Sequence, residues 1–339
     1  MFMMNIQLNH QFEPLHHLNH LFEKIAFNSI RPSHPHESCL LIEPDSGDDF
    51  TALPVEISKT YELQPSQTSL PVVSCDMSTV RIADTVEGPV FTIRGSVVKK
   101  QDGKVAVSVV GPFAYVASHE NISTILKALY GMLGISVDRP VFSLSAGPKL
   151  VGNLFEKVVQ LHASKVLDGG ILLLDGSLTA GPLDSPAEAV KKIVESSMRH
   201  GVGVCAFSKS TTLTLSGHSI LSYTKSKPHP YVVWLKRTDR LRWPVTHGAI
   251  YVFHLSPNSF PFRVDVSSRI GDVELLNALL SSDSFVHGYP ESLVLAHQFA
   301  KLSRLDIISL LAALESSLKI RFAEPFSVRS SLFTPLTHS

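Results

Sequence analysis

Apolar and polar positions along the chain change their spacing several times, and each change predicts an element. Before residue 70 the signal is sparse. Leu15, Leu18, Leu21, Phe22 and Ile25 recur at helical spacing, then give way to Pro- and Ser-containing sequence at 31–37 and an acidic stretch at 45–49. From Pro71 the pattern turns to β-branched and aromatic runs with partial alternation: PVVSCDMSTVRIAD, GPVFTIRGSVVKK and KVAVSVVGPFAYVA. Gln101-Asp102-Gly103 joins the second and third, and Asp-Gly suits a tight hairpin because both residues accept positive φ. The three runs therefore predict an antiparallel meander.

Two helical segments follow, over about 119–134 and 148–168; in the second, Leu154, Val158, Leu161 and Lys165 mark one face. GGILLLDGSL is a short, wholly apolar run, which places its strand in the middle of a sheet with both faces covered. Ser185 and Pro186 then open a helix as N-cap and first residue; it runs to about His200 and is closed by Gly201. GVGVCAFSKS predicts another buried strand. A meander followed by strand–helix–strand is the order required by an α/β, ribonuclease H-like mixed sheet flanked by helices. A variable segment at about 211–245, with a tip at Lys227-Pro228-His229-Pro230, leads to two further strand-like runs, GAIYVFHL and FPFRVDV. Gly288-Tyr289-Pro290 then introduces one long helical tail, ESLVLAHQFAKLSRLDIISLLAALESSL. The expected organisation is an N-terminal helical and linker segment (1–70), one catalytic-sized domain (71–320) and a tail (321–339).

Composition narrows the classes. With 339 residues, 44% of them hydrophobic, the chain can bury a large core. Thirty basic residues balance thirty acidic ones, so any contact with nucleic acid must come from a local patch. Cys39, Cys75 and Cys205 are few and scattered, which argues against a thiolate metal site or a disulfide framework. The N-terminus lacks the basic and apolar regions of a secretory signal, and no apolar run is long enough for a transmembrane helix. The expectation is a cytoplasmic protein. Several histidines fall in the first 36 residues, where His16 and His20 have helical spacing but no acidic partner, so a polar helix and linker is the favoured reading.

The candidate chemistry is carboxylate-based. Asp76 ends the predicted strand Pro71–Cys75, and Asp175 ends Ile171–Leu174. If both strands are central neighbours, the two carboxylates lie side by side, a repulsive arrangement that a cation relieves. Glu156 lies on the helix before Asp175's strand, among Leu154, Phe155, Val158 and Val159, where a carboxylate needs a partner. Asp265 alternates with apolar residues and is expected to face solvent. Arg94 and Arg263 are expected at the surface, with His247 and His254 packed or solvated. Lys236, Arg237, Arg240 and Arg242, interleaved with Trp234 and Trp243, fit either a single-stranded nucleic-acid track or a solvated helix.

Taken together, Asp76-Met77-Ser78, Glu156 in a helix, Asp175-Gly176-Ser177-Leu178, Ser208-Lys209-Ser210 and Gly288-Tyr289-Pro290…Leu293…Ala296-His297 resemble the NurA nuclease family over about residues 70–310. One departure is Met77, where the family motif has glycine. The resemblance implies a ribonuclease H-like fold and a manganese-dependent DNA nuclease, with magnesium as a second possible ion and two ions per site. It further implies 5′-to-3′ exonuclease and single-strand endonuclease activity, a homodimer, and partnership with a HerA-type hexameric translocase in DNA end resection. Carried over by position, Asp76, Glu156, Asp175 and His297 are metal ligands, and Lys209 contacts the phosphate. Tyr251, Arg237 and Arg240 are further DNA-binding candidates. Two rival readings are a non-catalytic dimeric subunit that guides DNA for a translocase, and a ribonuclease H-like enzyme acting on RNA.

Overall fold

The computed structural model describes residues 6–8, 18–23, 53–85, 87–180, 186–223, 228–238 and 245–318. Strands β1 (Ile6–Leu8) and β2 (Leu53–Glu62) precede the meander of β3 (Val72–Thr85), β4 (Gly88–Gln101) and β5 (Lys104–Val116). Helices α1 (His119–Met132) and α2 (Gly147–Ala163) lead to β6 (Gly170–Asp175) and the two-residue β7 (Thr179–Ala180). Next come α3 (Ala187–Arg199), β8 (Val202–Ser208), β9 (Leu213–Leu215), β10 (His218–Ser219), the short α4 (Ile220–Tyr223) and β11 (Tyr231–Arg237). The chain continues through β12 (Val245–Thr246), β13 (Ala249–His254), β14 (Phe262–Ser267), α5 (Asp272–Ser282), β15 (Phe285–Val286), β16 (Tyr289–Pro290), α6 (Glu291–Ala300) and α7 (Arg304–Leu318).

One sheet organises the molecule, in the order β1-β5-β4-β3-β6-β8-β14-β13-β11-β2-β9-β10. Its heart is β5-β4-β3-β6-β8: the meander is antiparallel, while β6 runs parallel to both β3 and β8. That is the ribonuclease H-like arrangement expected from the order of elements. The tight turn at Asp102-Gly103 has φ of 50° and 71°, as its residue types require. Gly170 opens the central strand with φ 125°; a side chain there would come within 2.4 Å of the Pro71 carbonyl oxygen, so a glycine lets β6 enter the sheet beside β3.

Alternation along the central strands sorts their residues between two cores. Val73, Cys75, Leu172, Leu174, Val204 and Ala206 face the layer of α1, α2 and α3. Val72, Ile171, Leu173, Cys205 and Phe207 face the other layer, with Leu275, Leu276 and Leu279 of α5 and Leu293 of α6. Burial of about 1.5–3 kcal/mol per large apolar side chain on both faces fixes the register, because a one-residue slip would exchange the two sets. Cys75 and Cys205 are buried free thiols, and Cys39 lies outside the described residues.

Several local expectations need correction. Residues 53–62, read as linker, form β2, which pairs with β11. Trp234, Lys236 and Arg237 lie on strand β11, not on a helix, because YVVWL is an apolar, β-favouring run whose successive side chains enter cores on opposite faces, and both neighbouring strands supply ladder partners. The C-terminal tail is two helices: Ser303 interrupts it, its hydroxyl accepting from the Asp306 amide and its amide donating to the Asp306 carboxylate, the reciprocal bonds of a capping box. Pro186 occupies the N-cap of α3 and not its first turn; Ser185 lies outside the described residues. Asp265 is fully buried and Arg263 nearly so, since they sit two apart on β14 and pair with each other at 2.8 Å. The residues at 9–17 and 24–50, which include His16 and the acidic stretch, lie outside the described residues, as do Arg240, Arg242 and Trp243. No helix among the described residues is long and apolar enough to cross a membrane.

Candidate active site

The parallel ladder between β3 and β6 pairs Val72 with Ile171 through Cys75 with Leu174, and stops there. The next residue on each strand is an aspartate. Asp76 continues the face of Val72 and Ser74; Asp175 continues the face of Ile171 and Leu173. The two carboxylates are thus neighbours across the ladder and point to the same side. Asp76 does not end its strand, as the sequence suggested. β3 runs on to Thr85 because Met77, Ser78, Thr79, Val80 and Arg81 keep pairing with β4, and Ala83, Asp84 and Thr85 do so again past a bulge at Ile82. What ends at Asp76 is the parallel partner, so the sheet parts there and exposes a notch. Met77 lies in ordinary strand conformation and is absent from the positive-φ positions, so a glycine is not needed in this motif.

Glu156 approaches from the opposite layer. α2 packs against β3 through Gly152, where an added side chain would touch the Met77 thioether methyl at 2.8 Å. One turn later Glu156 is half-buried, its Oε1 accepting from Gln160 Nε2 at 2.6 Å. Burial raises its carboxyl pKa; the charges of Asp76 and Asp175 push the same way, against Lys157. Asp76 is raised too, chiefly by burial and also by Asp175, despite hydrogen bonds from the Met77 amide and His297. Glu156 therefore feels both aspartates, and Asp76 feels Asp175.

His297 comes from α6, which is held on the sheet by polar contacts. Ser74 Oγ and Ser292 Oγ are 2.6 Å apart, and Ser96 Oγ donates to the Ala296 carbonyl at 2.5 Å. Lys100 on β4 pairs with buried Asp283 (2.9 Å) and with Glu291 (3.0 Å) at the start of the same helix. Asp283 in turn accepts from the Ser292 hydroxyl and amide. So placed, His297 Nδ1 lies 2.7 Å from Asp76 Oδ2. With Asp76 ionised the carboxylate can only accept, so Nδ1 is the donor to it and Nε2 is the ring nitrogen that Asp76 does not engage.

Lys209, just past the end of β8, reaches Asp175 Oδ2 at 2.6 Å, and its ammonium lies 5.2 Å from the centre of the Tyr289 ring. Tyr289 stands within the Gly288-Tyr289-Pro290 motif, which by itself assigns it no role. Its hydroxyl is buried and makes no hydrogen bond of ordinary length. Burial, then the charge of Asp175 and a long hydrogen bond to it, and then the charges of Asp76 and Glu156 drive its pKa far above the usual phenol range. A buried phenol beside acidic groups, with no hydrogen bond of ordinary length, is the signal that could have found it, and only a structure displays that signal.

Other candidates are not brought to the notch. Tyr251 is buried and donates to Asp272 at 3.1 Å, three strands from β6, or about 14 Å at ordinary strand spacing. Arg237 lies on β11, one strand further still. Asp265 and Arg263 form a buried pair that also holds the segment after Asp175, through the Leu178 amide to Asp265 Oδ2 at 2.9 Å. His254 is buried among His229, Tyr231 and the Ser259 carbonyl.

The donors suit a hard divalent cation: three carboxylates, a phenol oxygen and one imidazole. Burial without such a cation is costly, as the raised carboxyl groups record. In the arrangement described, each acid has its own partner, His297, Gln160 or Lys209. Accordingly, no set of three His, Cys, Asp or Glu side chains among the described residues is gathered ready for a metal. Binding requires these side chains to exchange those partners for the ion.

A family model for the NurA domain matches residues 90–302. Among solved structures, the NurA nuclease from Sulfolobus solfataricus is similar with a TM-score of 0.51 at 15% identity, covering 78% of this chain and 90% of that one. A second structure titled NurA has a TM-score of 0.41 at 10% identity, over 77% and 92% of the two chains. An endonuclease V from Bacillus subtilis has a TM-score of 0.32 at 13% identity, over 77% and 88%. No curated protein sequence matches this chain.

Proposed function

The chain belongs to the NurA family, and from that premise we propose that it is a DNA nuclease which hydrolyses phosphodiester bonds with divalent cations held by Asp76, Glu156 and Asp175. The observation that carries this reading is the placement of Asp76 and Asp175 on one face at the point where their shared ladder stops, with the Glu156 carboxyl, on the helix packed against β3, raised in part by both their charges.

A bound divalent cation supplies Lewis acidity toward the phosphate and a water nucleophile at neutral pH. The protein's own groups supply the rest. The carboxylates of Asp76, Glu156 and Asp175 fix the cation site, and His297 either completes it or takes a proton at Nε2. The Lys209 ammonium, released from Asp175, offsets charge on the non-bridging phosphate oxygens. The Tyr289 hydroxyl, buried beside Asp175 without a hydrogen bond of ordinary length, is placed to donate to an oxygen of the substrate.

Family resemblance supports finer assignments as part of the same proposal: manganese as the preferred ion with magnesium as an alternative, two ions per site, and 5′-to-3′ exonuclease with single-strand endonuclease activity. It likewise supports a homodimer working with a HerA-type translocase in DNA end resection.

The test is degradation of labelled single-stranded DNA by the wild type, Asp76→Ala and Asp175→Ala, each with Mn²⁺ and with chelator. Wild type with Mn²⁺ should cut, and the other conditions should lose at least about a thousandfold in rate, as expected when several kcal/mol of charge stabilisation are removed. Equal DNA loss in all three proteins would remove the nuclease reading and favour a non-catalytic DNA-guiding subunit.

A further inference from the structure

We propose that Phe260 is a base-stacking platform that holds the nucleobase beside the scissile phosphodiester, making the site selective for unpaired strands. This deepens the nuclease reading and rests on it for the substrate. Phe260 is 66% exposed, so its ring is open to a ligand. It is not on a loose end. The Phe260 amide donates to the His287 carbonyl at 3.0 Å. Ser259 is tied into its turn by three bonds with Ser256, and its carbonyl lies 3.1 Å from His254 Nε2. That imidazole is itself braced by His229 and Tyr231, each 3.1 Å from Nδ1. A ring carried on a tied-down backbone costs little chain freedom when a base stacks on it.

The position is what gives the ring a role. Gly288 has φ 92°, and a side chain there would lie 2.9 Å from the Phe260 carbonyl oxygen, so the two loops are in direct backbone contact. The next residue is Tyr289, whose hydroxyl faces the carboxylates. Ordinary backbone dimensions then put the Phe260 and Tyr289 Cα atoms within roughly 10 Å, a step of one or two nucleotides. Phe262 continues the connection, its ring 5.2 Å from that of Tyr289. The surroundings suit a polyanion with exposed bases: the His287 ring lies 6.2 Å from Phe260 and is exposed, and the half-exposed Lys209 ammonium lies 5.2 Å from the Tyr289 ring. The loop Ser256-Pro257-Asn258-Ser259-Phe260-Pro261 carries no acid to repel phosphate. Aromatic faces and cations interleaved along an edge are the means by which proteins bind single strands without reading sequence. In a duplex the base is already stacked on its neighbours, so this contact favours unpaired DNA.

The experiment uses single-stranded oligonucleotides in which one abasic position is moved stepwise past the cut site. KM and kcat with Mn²⁺, and binding by fluorescence anisotropy in chelator, are measured for the wild type, Phe260→Ala and Phe260→Trp. With intact DNA, Phe260→Ala should raise KM and weaken binding by between about fivefold and a hundredfold, the range of one lost stacked base, with kcat little changed. In the wild type one abasic position should carry a similar penalty. That penalty should vanish in Phe260→Ala and return in Phe260→Trp. An abasic profile unchanged by Phe260→Ala would overturn the platform, as would sedimentation showing that the substitution separates a dimer, which makes the ring a contact between copies. If the wild type binds with this profile yet never cleaves, the nuclease reading fails and the platform stands.

Discussion

Lys100 offers a sharp test of how the catalytic edge is assembled. Its side chain is largely buried on β4, 2.9 Å from an Asp283 carboxylate that is wholly inaccessible to solvent. Replacing Lys100 with Met preserves most of the stem's packing and removes the cation. Breaking a buried pair by removing one partner costs about 3–5 kcal/mol, because the remaining charge is left without compensation. Here Asp283 keeps its bonds from the Ser292 hydroxyl and from the Ser292 and Ser284 amides, which places the cost at the low end, about 3 kcal/mol. For a domain of this size that is a fall in melting temperature of about 5–10 °C. Thermal unfolding by circular dichroism in chelator measures it. The double variant Lys100→Met, Asp283→Asn should recover most of the loss, since asparagine retains an acceptor for the serines and carries no charge. Nuclease activity of the single variant should fall more steeply than stability alone explains, because Glu291 and Ser292 at the start of α6 orient the helix bearing His297. A single variant that melts with the wild type, or a double variant that melts below the single, would refute the charge-compensation argument.

Three other outcomes follow from the same geometry. Asp76 and Glu156 have carboxyl groups raised by folding, so the folded state holds their protons more tightly than the unfolded chain does. Their stabilising contribution is full below the unperturbed values of 3.8 and 4.5 and is lost as pH rises through the raised folded values. Without metal, Glu156→Gln should therefore be more stable than wild type at neutral pH, with the gap closing toward the ordinary carboxylate range; a melting series against pH reads this. Divalent cation at a hundred times its dissociation constant should stabilise the wild type by about 2.7 kcal/mol and leave Asp175→Asn unmoved, a contrast visible in a thermal shift. Arg263→Met should cost about 3–5 kcal/mol by stranding buried Asp265. It should also speed hydrogen exchange at the Leu178 amide, which Asp265 holds.

Much of the architecture was written in local pattern. The Asp-Gly hairpin, the apolar run before Asp175 and the glycine after α3 each express a local steric or solvation rule, and each appears where that rule puts it. The acids of the site were legible as residues out of keeping with apolar surroundings. What the sequence could not display was set by distant partners. β3 continues past Asp76 because β4 pairs with it, and nothing within residues 76–78 announces that. Arg263 and Asp265 look like surface residues on a period-two strand until Thr179 and Leu178 fold over them. Tyr289 gains its meaning from three carboxylates that come from β3, β6 and α2. The lone Phe260 becomes distinctive only once Gly288 brings its loop against the same edge.

Anomalous diffraction from crystals soaked in Mn²⁺ tests the central claim most directly. Density should appear in the notch between the carboxylates of Asp76 and Asp175, with Glu156 turned in from α2 and Lys209 displaced from Asp175. An empty notch, or density only elsewhere, under conditions in which the same protein cuts DNA with Mn²⁺, would contradict the account.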